Sequence, residues 1–322
     1  MKTPLQHFCN AQVKKCKKES LQVADKKEVC VMYQLKNDHL FVRVSDVGAQ
    51  LTSLYSPVTE MEYLWQPGYE TWPHSSMLLF PNPGRIAHDR VIIGGKVYPA
   101  TMHGFADNMT FRLLEHSDSK LILELKDTDY TRKYFPYAFR LQVEFILEGD
   151  TLIQNFRIIN DDDQPVYYCL GAHPGFYCPL VLGEKAEDYA LVFDVPQKLD
   201  RMELEENTRL LTGKKTTYLN NETTIPLHDH FFDNGPMLFE GVDTNTITLQ
   251  SKASGRFVEF GVKGFPSLCL WGVPTRMSLI AIEPWIGTSD RVDTDHIWEH
   301  KPGIQTVQPG KENIHTLTFR VG

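Results

Sequence analysis

Residues 139–159 carry the pattern of an antiparallel β-hairpin. Apolar and polar residues alternate from Phe139 to Phe145 in the run Phe139–Leu147, apolar residues recur through the run Thr151–Ile159, and Glu148-Gly149-Asp150 joins the two runs. A period of two places alternate side chains on opposite faces of a strand, so one face meets a core and the other meets solvent or a second sheet. A short turn that contains glycine and aspartate lets the chain reverse between the two strands.

The same pattern of short β-like runs and turns recurs along most of the chain. Short alternating or apolar runs occur at Leu40–Val44, Leu121–Leu125 and Phe257–Phe260, and turn-forming residues separate them. Helical periodicity is almost absent, and only Ser289–His300 is predicted to form a short helix. Because no linker rich in proline, glycine or serine interrupts the pattern, we predict an all-β fold, with large antiparallel sheets in a single domain over residues 29–322.

The first 28 residues differ from the rest of the chain. Six lysines fall among residues 14–27, in a segment with few large apolar side chains. Low hydrophobicity together with clustered like charges is typical of a solvated segment. We therefore predict a basic, flexible extension over residues 1–28.

Composition excludes several classes of protein. The formal net charge is −8 and the isoelectric point is about 5.8, whereas nucleic-acid binding requires a basic face. No run reaches the roughly 18 consecutive apolar residues of a membrane span, and the N-terminus lacks the apolar stretch of a secretory signal. The six cysteines show no Cys-x-x-Cys spacing. We therefore predict reduced thiols in a cytoplasmic protein that binds neither nucleic acid nor membrane.

Glu283 occupies the setting that folding explains least. It follows the apolar run Leu279–Ile282 and precedes Pro284 and Trp285, and charged residues seldom end such runs unless they are paired or functional. Half-burial at a strand end would raise the pKa of the carboxyl toward neutrality, so that it accepts a proton from a hydroxyl. Trp285 points to a sugar, whose apolar ring face stacks on aromatic surface. A salt bridge at a turn is the alternative.

Arg85 and His103 lie in similar settings. Two prolines and a glycine precede Arg85, which predicts a rigid, exposed bend that presents the guanidinium to sugar hydroxyls or to a carboxylate. His103 lies in Thr101–Phe105, next to a glycine. The alternatives are an arginine paired with a surface acid and a histidine bonded to backbone at a turn.

His173 follows the apolar run Val166–Leu170 and precedes Pro174 and Gly175. Because proline and glycine interrupt strand pairing, we predict that the strand ends here and delivers the imidazole to the mouth of a sheet. A histidine in that place can be protonated near neutral pH and act as a general acid. A structural histidine bonded to backbone is again the alternative.

Other chemistries lack the residues they need. His228 and His230 share a strand face, but no third ligand with recognisable spacing accompanies them, so no metal site is predicted. Nucleophile, phosphate-binding and dinucleotide motifs are also missing, and no cofactor is predicted. A glycosidase uses two carboxylates, whereas Glu283 alone stands out. Interconversion of sugar anomers needs one base at the O1 hydroxyl and one acid at the ring oxygen, while the ring opens, C1 turns and the ring closes.

Four motifs in this order resemble the aldose 1-epimerase (galactose mutarotase) family, and within it the LacX-like subgroup. They are Pro83–Ile86, Met102–Phe105, Gly171–Leu180 and Ile282–Gly287. The resemblance implies a β-supersandwich with an open groove, and mutarotation of a hexose such as galactose or glucose without a cofactor. It also implies that Glu283 is the general base, that His173 is the general acid, and that His103 and Arg85 bind the ring oxygen or hydroxyls.

Two departures from the family pattern leave the sugar open. The asparagine and arginine that follow the glycine-arginine bend in the family are replaced by Ile86–Arg90, and Asp233 is the nearest counterpart of the substrate-binding aspartate. Clustered cations bind phosphate well, and a phosphorylated sugar is therefore the alternative substrate, with surface placement of the cations as the simpler explanation. The cations concerned are His88, Arg90, Arg132 and Lys133.

Two further classes of function stay open. A non-catalytic sugar-binding or sugar-sensing protein would use the same groove. A lyase or hydrolase would need a second acid, for which Asp233 or Asp290 is the first candidate. The sequence allows either a monomer or a homodimer.

Overall fold

The computed structural model describes residues 30–67 and 72–322. The lysine-rich extension predicted over residues 1–28 lies outside these described residues. The strands are β1 Met32–Lys36, β2 Phe41–Ser45, β3 Leu51–Ser56, β4 Met61–Glu62, β5 Ser76–Leu79, β6 Arg90–Ile93, β7 Lys96–Pro99, β8 Arg112–His116, β9 Lys120–Lys126, β10 Phe139–Glu148, β11 Thr151–Asn160, β12 Val166–Tyr168, β13 Leu170–Tyr177, β14 Tyr189–Leu204, β15 Leu211–Pro226, β16 Met237–Glu240, β17 Thr246–Ser251, β18 Phe257–Gly261, β19 Ser267–Gly272, β20 Leu279–Ile286, β21 Gln305–Val307 and β22 Glu312–Val321. Short 3-10 helices are η1 Ala87–Asp89, η2 Ala106–Asn108, η3 Thr131–Lys133, η4 Ala186–Asp188 and η5 Trp298–His300.

One large sheet dominates the molecule. Thirteen strands follow one another in the order β5-β13-β20-β19-β16-β14-β17-β18-β22-β11-β10-β9-β8, and β15 pairs with β14 as the fourteenth. Smaller sheets contain β1–β4, β6 with β7, and β12 with β21. Every pairing between these strands is antiparallel. The predicted all-β fold with a large antiparallel sheet is therefore confirmed.

The hairpin predicted over residues 139–159 is present. Strands β10 and β11 pair from Phe139 opposite Asn160 to Glu148 opposite Thr151, so that Gly149 and Asp150 form the turn. Gly149 has a φ of 57°, a left-handed conformation that costs glycine little. Buried and partly exposed residues alternate along both strands, as the period of two predicts.

The middle strands of the large sheet are covered on both faces. All eight residues of β20 are buried. One face, which includes Ile280 and Ile282, packs into the main core, and the other carries Glu283 and Trp285. A second, smaller apolar cluster lies on that other face and consists of Leu79, Leu211, Leu238, Cys269 and Trp285.

The predicted helix over Ser289–His300 is wrong. Only Trp298–His300 forms a single 3-10 turn, and the preceding residues are turns and irregular chain. Tertiary contacts override the local preference, because Asp290 N donates to Arg85 O at 2.8 Å and Leu211 N donates to Asp290 O at 2.9 Å. His296 also has a φ of 64°, which a continuous α-helix excludes.

The described cysteines Cys30, Cys169, Cys178 and Cys269 are free thiols. Within residues 30–67 and 72–322, none of the helices has the length and apolar composition needed to cross a membrane.

Candidate active site

His173 and Glu283 face each other across two neighbouring strands. Strands β13 and β20 pair with Gly171 opposite Trp285 and Gly175 opposite Ala281. This register places the side chains of His173 and Glu283 on the same face, because residues two apart along a strand share a face. His173 Nε2 lies 3.2 Å from Glu283 Oε1. The two residues therefore form a direct contact, which we call the His173–Glu283 pair.

Neither strand ends where the sequence predicted. Strand β13 continues through Pro174 and Gly175 to Tyr177, and β20 continues through Pro284 to Ile286. The two strands stay paired on both sides of the prolines, although no paired positions occur between Gly171 and Gly175. Proline lacks the N–H that a ladder needs, so it leaves a local gap without ending the strand. Glu283 is consequently only 2% exposed, rather than half-buried as predicted.

Gly171 and Gly175 flank His173, and a tryptophan ring packs against the backbone of each glycine. A Cβ on Gly171 would lie 2.8 Å from Trp285 Cδ1, and a Cβ on Gly175 would lie 2.7 Å from Trp72 Cζ3. Carbon atoms in contact normally lie about 3.5–4.0 Å apart. The absence of side chains at both positions thus lets the indole rings pack on either side of the imidazole.

Gly171→Ala is expected to destabilise the protein. The added methyl group would also meet Leu79 Cδ1 at 3.1 Å and Pro83 Cβ at 3.2 Å, so it would be crowded by three side chains. Overpacking of this kind costs about 1–3 kcal/mol of unfolding free energy. Chemical denaturation of the two proteins measures the difference. An unchanged midpoint would show that the Trp285 ring can shift at little cost.

Burial dominates the electrostatics of Glu283. It raises the pKa of the carboxyl well above its usual range, and the neighbouring Cys269 thiol and Trp285 indole offset part of that rise. Cys269 is the direct partner of Glu283 in the pairing of β19 with β20. The predicted direction of the shift is confirmed, since burial disfavours the charged form of a carboxyl.

His173 is one of three imidazoles in this region. Burial lowers the pKa of His173 well below its usual range, and the nearby His103 and His74 lower it further. Burial also lowers the pKa of His103 to about 4, with the positive charge of Arg85 as the second cause. In the free protein these directions favour a neutral imidazole at His173 and a protonated carboxyl at Glu283, so that the pair holds one proton.

Three buried polar atoms at the site have no hydrogen-bond partner within the protein. They are His173 Nδ1, Glu283 Oε2 and Trp285 Nε1. A buried polar group without a partner costs about 1–3 kcal/mol, and such groups are rare in folded proteins. Their concentration around one contact leaves hydrogen-bonding capacity there for a water molecule or another polar group.

His103 forms one wall of the site, beside the bend that carries Arg85. His103 N donates to Gly84 O at 3.0 Å, and Gly84 N donates to His103 Nδ1 at 3.1 Å. The His103 ring lies edge-on to the rings of His173 and Trp285, with centroid separations of 5.8 and 6.1 Å. The Arg85 guanidinium is exposed, as predicted, and makes no ion pair with any described residue.

Asp233 is not in contact with the other five predicted site residues. It lies in an exposed turn, where its carboxylate accepts hydrogen bonds from Thr275 N at 2.7 Å and pairs with His230 Nδ1 at 2.9 Å. These bonds connect the turn to the loop between β19 and β20. A role for Asp233 in sugar binding stays a prediction.

Asp290 has a structural partner instead of a place beside Glu283. Its Oδ1 lies 2.5 Å from Lys301 Nζ, and both side chains are buried. Its Oδ2 accepts a hydrogen bond from Ala87 N at 2.9 Å. The carboxylate therefore ties the segment that carries Arg85 to the chain that follows β20, and the geometry gives no support to a second catalytic acid here.

The other predicted clusters have separate partners. Arg132 pairs with Asp127 at 2.7 Å, and His88 Nδ1 lies 3.4 Å from His296 Nε2. Neither Arg90 nor Lys133 contacts the His173–Glu283 pair. Among the described residues, no three histidine, cysteine, aspartate or glutamate side chains come together as metal ligands do, and His228 Nδ1 lies 2.5 Å from Asp229 O.

Sequence reasoning missed four side chains around the pair: Trp72, His74, Cys269 and Trp271. The Trp271 ring lies 5.8 Å from the rings of both His173 and Trp72. The pattern Trp72-Pro73-His74 was a usable signal, because a tryptophan and a histidine flank a proline just before a strand. Cys269 and Trp271 carried no local signal, since only the register of β19 against β20 brings them to the site.

Comparison with known proteins identifies the family of this chain. A family model described as Aldose 1-epimerase matches residues 31–271. The chain belongs to the aldose 1-epimerase family. The matched part contains Arg85, His103 and His173 and ends before Glu283.

Individual relatives in the family extend the match over most of the chain. The plasmid-encoded protein LacX of Lactococcus lactis subsp. lactis is 31% identical over 283 residues, which cover 86% of this chain and 94% of LacX. A galactose mutarotase related enzyme from Lactobacillus acidophilus is 29% identical, with a TM-score of 0.85 over 91% of this chain and 97% of its own. A galactose mutarotase-like protein from Lactobacillus casei ATCC 334 has a TM-score of 0.84 at 26% identity, and the match covers 91% of this chain and 100% of that one.

Proposed function

We propose that this protein is a cofactor-independent aldose 1-epimerase that interconverts the α and β anomers of a free hexose. Glu283 is the general base and His173 the general acid of this proposal. The observation that carries it is the 3.2 Å contact between Glu283 Oε1 and His173 Nε2. The unpartnered polar atoms around that contact support a substrate that supplies hydroxyl groups.

The proposed reaction moves two protons and returns both. Glu283 takes the proton of the O1 hydroxyl while His173 gives a proton to the ring oxygen, and the bond between C1 and the ring oxygen breaks to leave an open-chain aldehyde. Rotation about the bond between C1 and C2 presents the other face of the carbonyl. The ring oxygen then attacks C1, its proton returns to His173, and Glu283 returns its proton to O1. Both oxygens are bonded to C1, so two adjacent side chains can serve them together.

The proposed reaction needs the charged form of the His173–Glu283 pair. This form differs from the neutral form of the free protein by the transfer of one proton from Glu283 to His173. Burial favours the neutral pair, with the proton on Glu283, whereas the base and acid roles need a carboxylate and an imidazolium. The total number of protons is the same in both forms. Sugar hydroxyls that donate to the carboxylate stabilise the charged form, because hydrogen bonds to an ionised group favour it.

The positions of the cations bear on the choice between a free and a phosphorylated sugar. Arg85 is the cation whose charge acts on the imidazole of His103. The four cations considered for phosphate binding do not converge on the His173–Glu283 pair through any contact in the described residues. We therefore propose a free hexose, with Arg85 and His103 binding its hydroxyls or ring oxygen and Trp285 providing an apolar wall.

Polarimetry tests the proposal. Freshly dissolved α-glucose and α-galactose should relax to their anomeric equilibrium faster with the protein than without it, whereas the 6-phosphates should gain less. If no hexose or hexose 6-phosphate relaxes faster, the enzymatic proposal fails. Saturation-transfer NMR on the same sugars then separates a sugar-binding protein, which would show contact without turnover, from a protein that binds none of them.

The rate is expected to have a bell-shaped dependence on pH. Catalysis needs the single proton of the pair, so activity is lost at low pH when both groups are protonated and at high pH when neither is. Because burial lowers the pKa of His173, the acid limb should lie below pH 6.5. Because burial raises the pKa of Glu283, the alkaline limb should lie well above the range of a free glutamate. A profile of kcat/KM against pH that rises or falls only once would contradict the one-proton pair.

A further inference from the structure

Trp72 lies flat against the ring of His173. The two ring centroids are 4.7 Å apart and the planes differ by 24°, which is a stacked arrangement. The other rings near His173, those of His103 and Trp271, meet it edge-on at centroid separations of 5.8 Å. Trp72 is only 8% exposed, and it therefore covers one face of the imidazole.

Contacts with the neighbouring strand hold Trp72 in this place. Trp65 Nε1 donates a hydrogen bond to Trp72 O at 3.2 Å, and Trp65 N donates to Gly175 O at 2.7 Å. The bare backbone of Gly175 leaves room for the six-membered ring of the indole. The stack thus depends on several residues and is built into the fold at this point.

We propose that Trp72 is a positioning residue that stabilises the protonated form of His173 through its indole face. The π face of an aromatic ring attracts a cation placed over it, and tryptophan does so best. Glu283 is the carboxyl in contact with His173, whereas positive charge on His103 or His74 opposes the imidazolium. An indole face adds this attraction without placing a further ion in the buried site.

The stack favours the charged form of the His173–Glu283 pair, which the proposed reaction uses. Cation–π attraction of this kind corresponds to a factor of about 2 to 30 in the population of the charged form. Trp72→Leu keeps an apolar cover over His173 and removes the π face. We expect it to lower kcat by a factor in that range while KM changes little, and to lower the pKa of His173. Trp72→Phe should fall between the two proteins.

NMR titration of the histidine side chains measures the pKa of His173 without substrate. This readout reports on Trp72 even if mutarotation is absent, whereas the expected loss of kcat rests on the proposed function. Trp271→Leu is the matched control, because it removes an indole from the same region that meets His173 edge-on, and it should shift the pKa of His173 less.

Three results would overturn the inference. A pKa of His173 that rises toward 6.5 in Trp72→Leu would show that the indole acts by excluding water. An unchanged pKa, or the same shift in Trp271→Leu, would show that the stacked face has no special effect. Should Trp72→Leu fail to fold, Trp72→Phe is decisive: a pKa of His173 that is lower than in the wild type supports the inference, and an equal or higher value contradicts it.

Discussion

Glu283→Gln is expected to slow catalysed mutarotation by about 10²–10⁴-fold, the usual effect of removing a general base. The substitution keeps the shape of the side chain and removes the group that accepts the O1 proton. Its amide can still contact His173, so the loss should appear in kcat more than in KM. Polarimetry with the sugar that the wild-type protein handles fastest is the measurement. Glu206→Gln is the matched control, because Glu206 is exposed and lies outside the site, and it should keep full activity.

The same variant should be more stable than the wild type at neutral and alkaline pH. Burial raises the pKa of Glu283 in the folded state. The protonated carboxyl therefore contributes its full stabilisation at pH values below the pKa that Glu283 has in the unfolded state. That effect disappears as the pH rises through the folded pKa. Glutamine has no proton to lose, and its advantage should therefore grow with pH. If the difference in stability between Glu283→Gln and the wild type does not grow as the pH rises, the assignment of a raised pKa is wrong.

Asp290→Asn is expected to lower the free energy of unfolding by about 3–5 kcal/mol, because it leaves a buried lysine without its counter-ion. Lys301 Nζ lies 2.5 Å from Asp290 Oδ1, and the side chains are 2% and 7% exposed. Asparagine can still accept the hydrogen bond from Ala87 N, so the effect isolates the charge. Chemical denaturation at neutral pH measures it.

A nearby exposed ion pair provides the control for Asp290. Arg291 Nε lies 2.8 Å from Asp293 Oδ1, and both side chains are about half exposed. Asp293→Asn should change the free energy of unfolding far less than Asp290→Asn does, because solvent screens exposed ion pairs. Replacing Asp290 by leucine together with Lys301 by methionine should recover much of the stability, since apolar pairs often substitute for buried ion pairs. If Asp290→Asn abolishes turnover in a protein of unchanged stability, Asp290 is a second catalytic acid.

Local pattern predicted the strands and the residues that belong to compact motifs. The β10–β11 hairpin follows from alternation and a turn, and Arg85, His103 and His173 each lie beside proline or glycine in the sequence. Glu283 was identifiable because its charge interrupts an apolar run. These signals are contained in a few consecutive residues, and no knowledge of distant partners is needed to see them.

Contacts between distant segments produced the features that sequence did not predict. Cys269 reaches Glu283 only through the register of β19 against β20, and Trp72 reaches His173 from a segment about a hundred residues earlier. The helix expected over Ser289–His300 is absent because the buried pairing of Asp290 with Lys301 fixes that segment in another conformation. Proline ends neither β13 nor β20, because neighbouring strands keep both in the sheet.

The burial of β20 on both faces limits how this scaffold can change its substrate. A larger or smaller side chain beside Glu283 on that strand would disturb packing on one side or the other, whereas Arg85 lies on an exposed bend and Asp233 on an exposed turn. Laboratory evolution toward new sugars should therefore accumulate its substitutions in the connecting segments around the rim. The buried residues of β20, including Glu283, would stay unchanged.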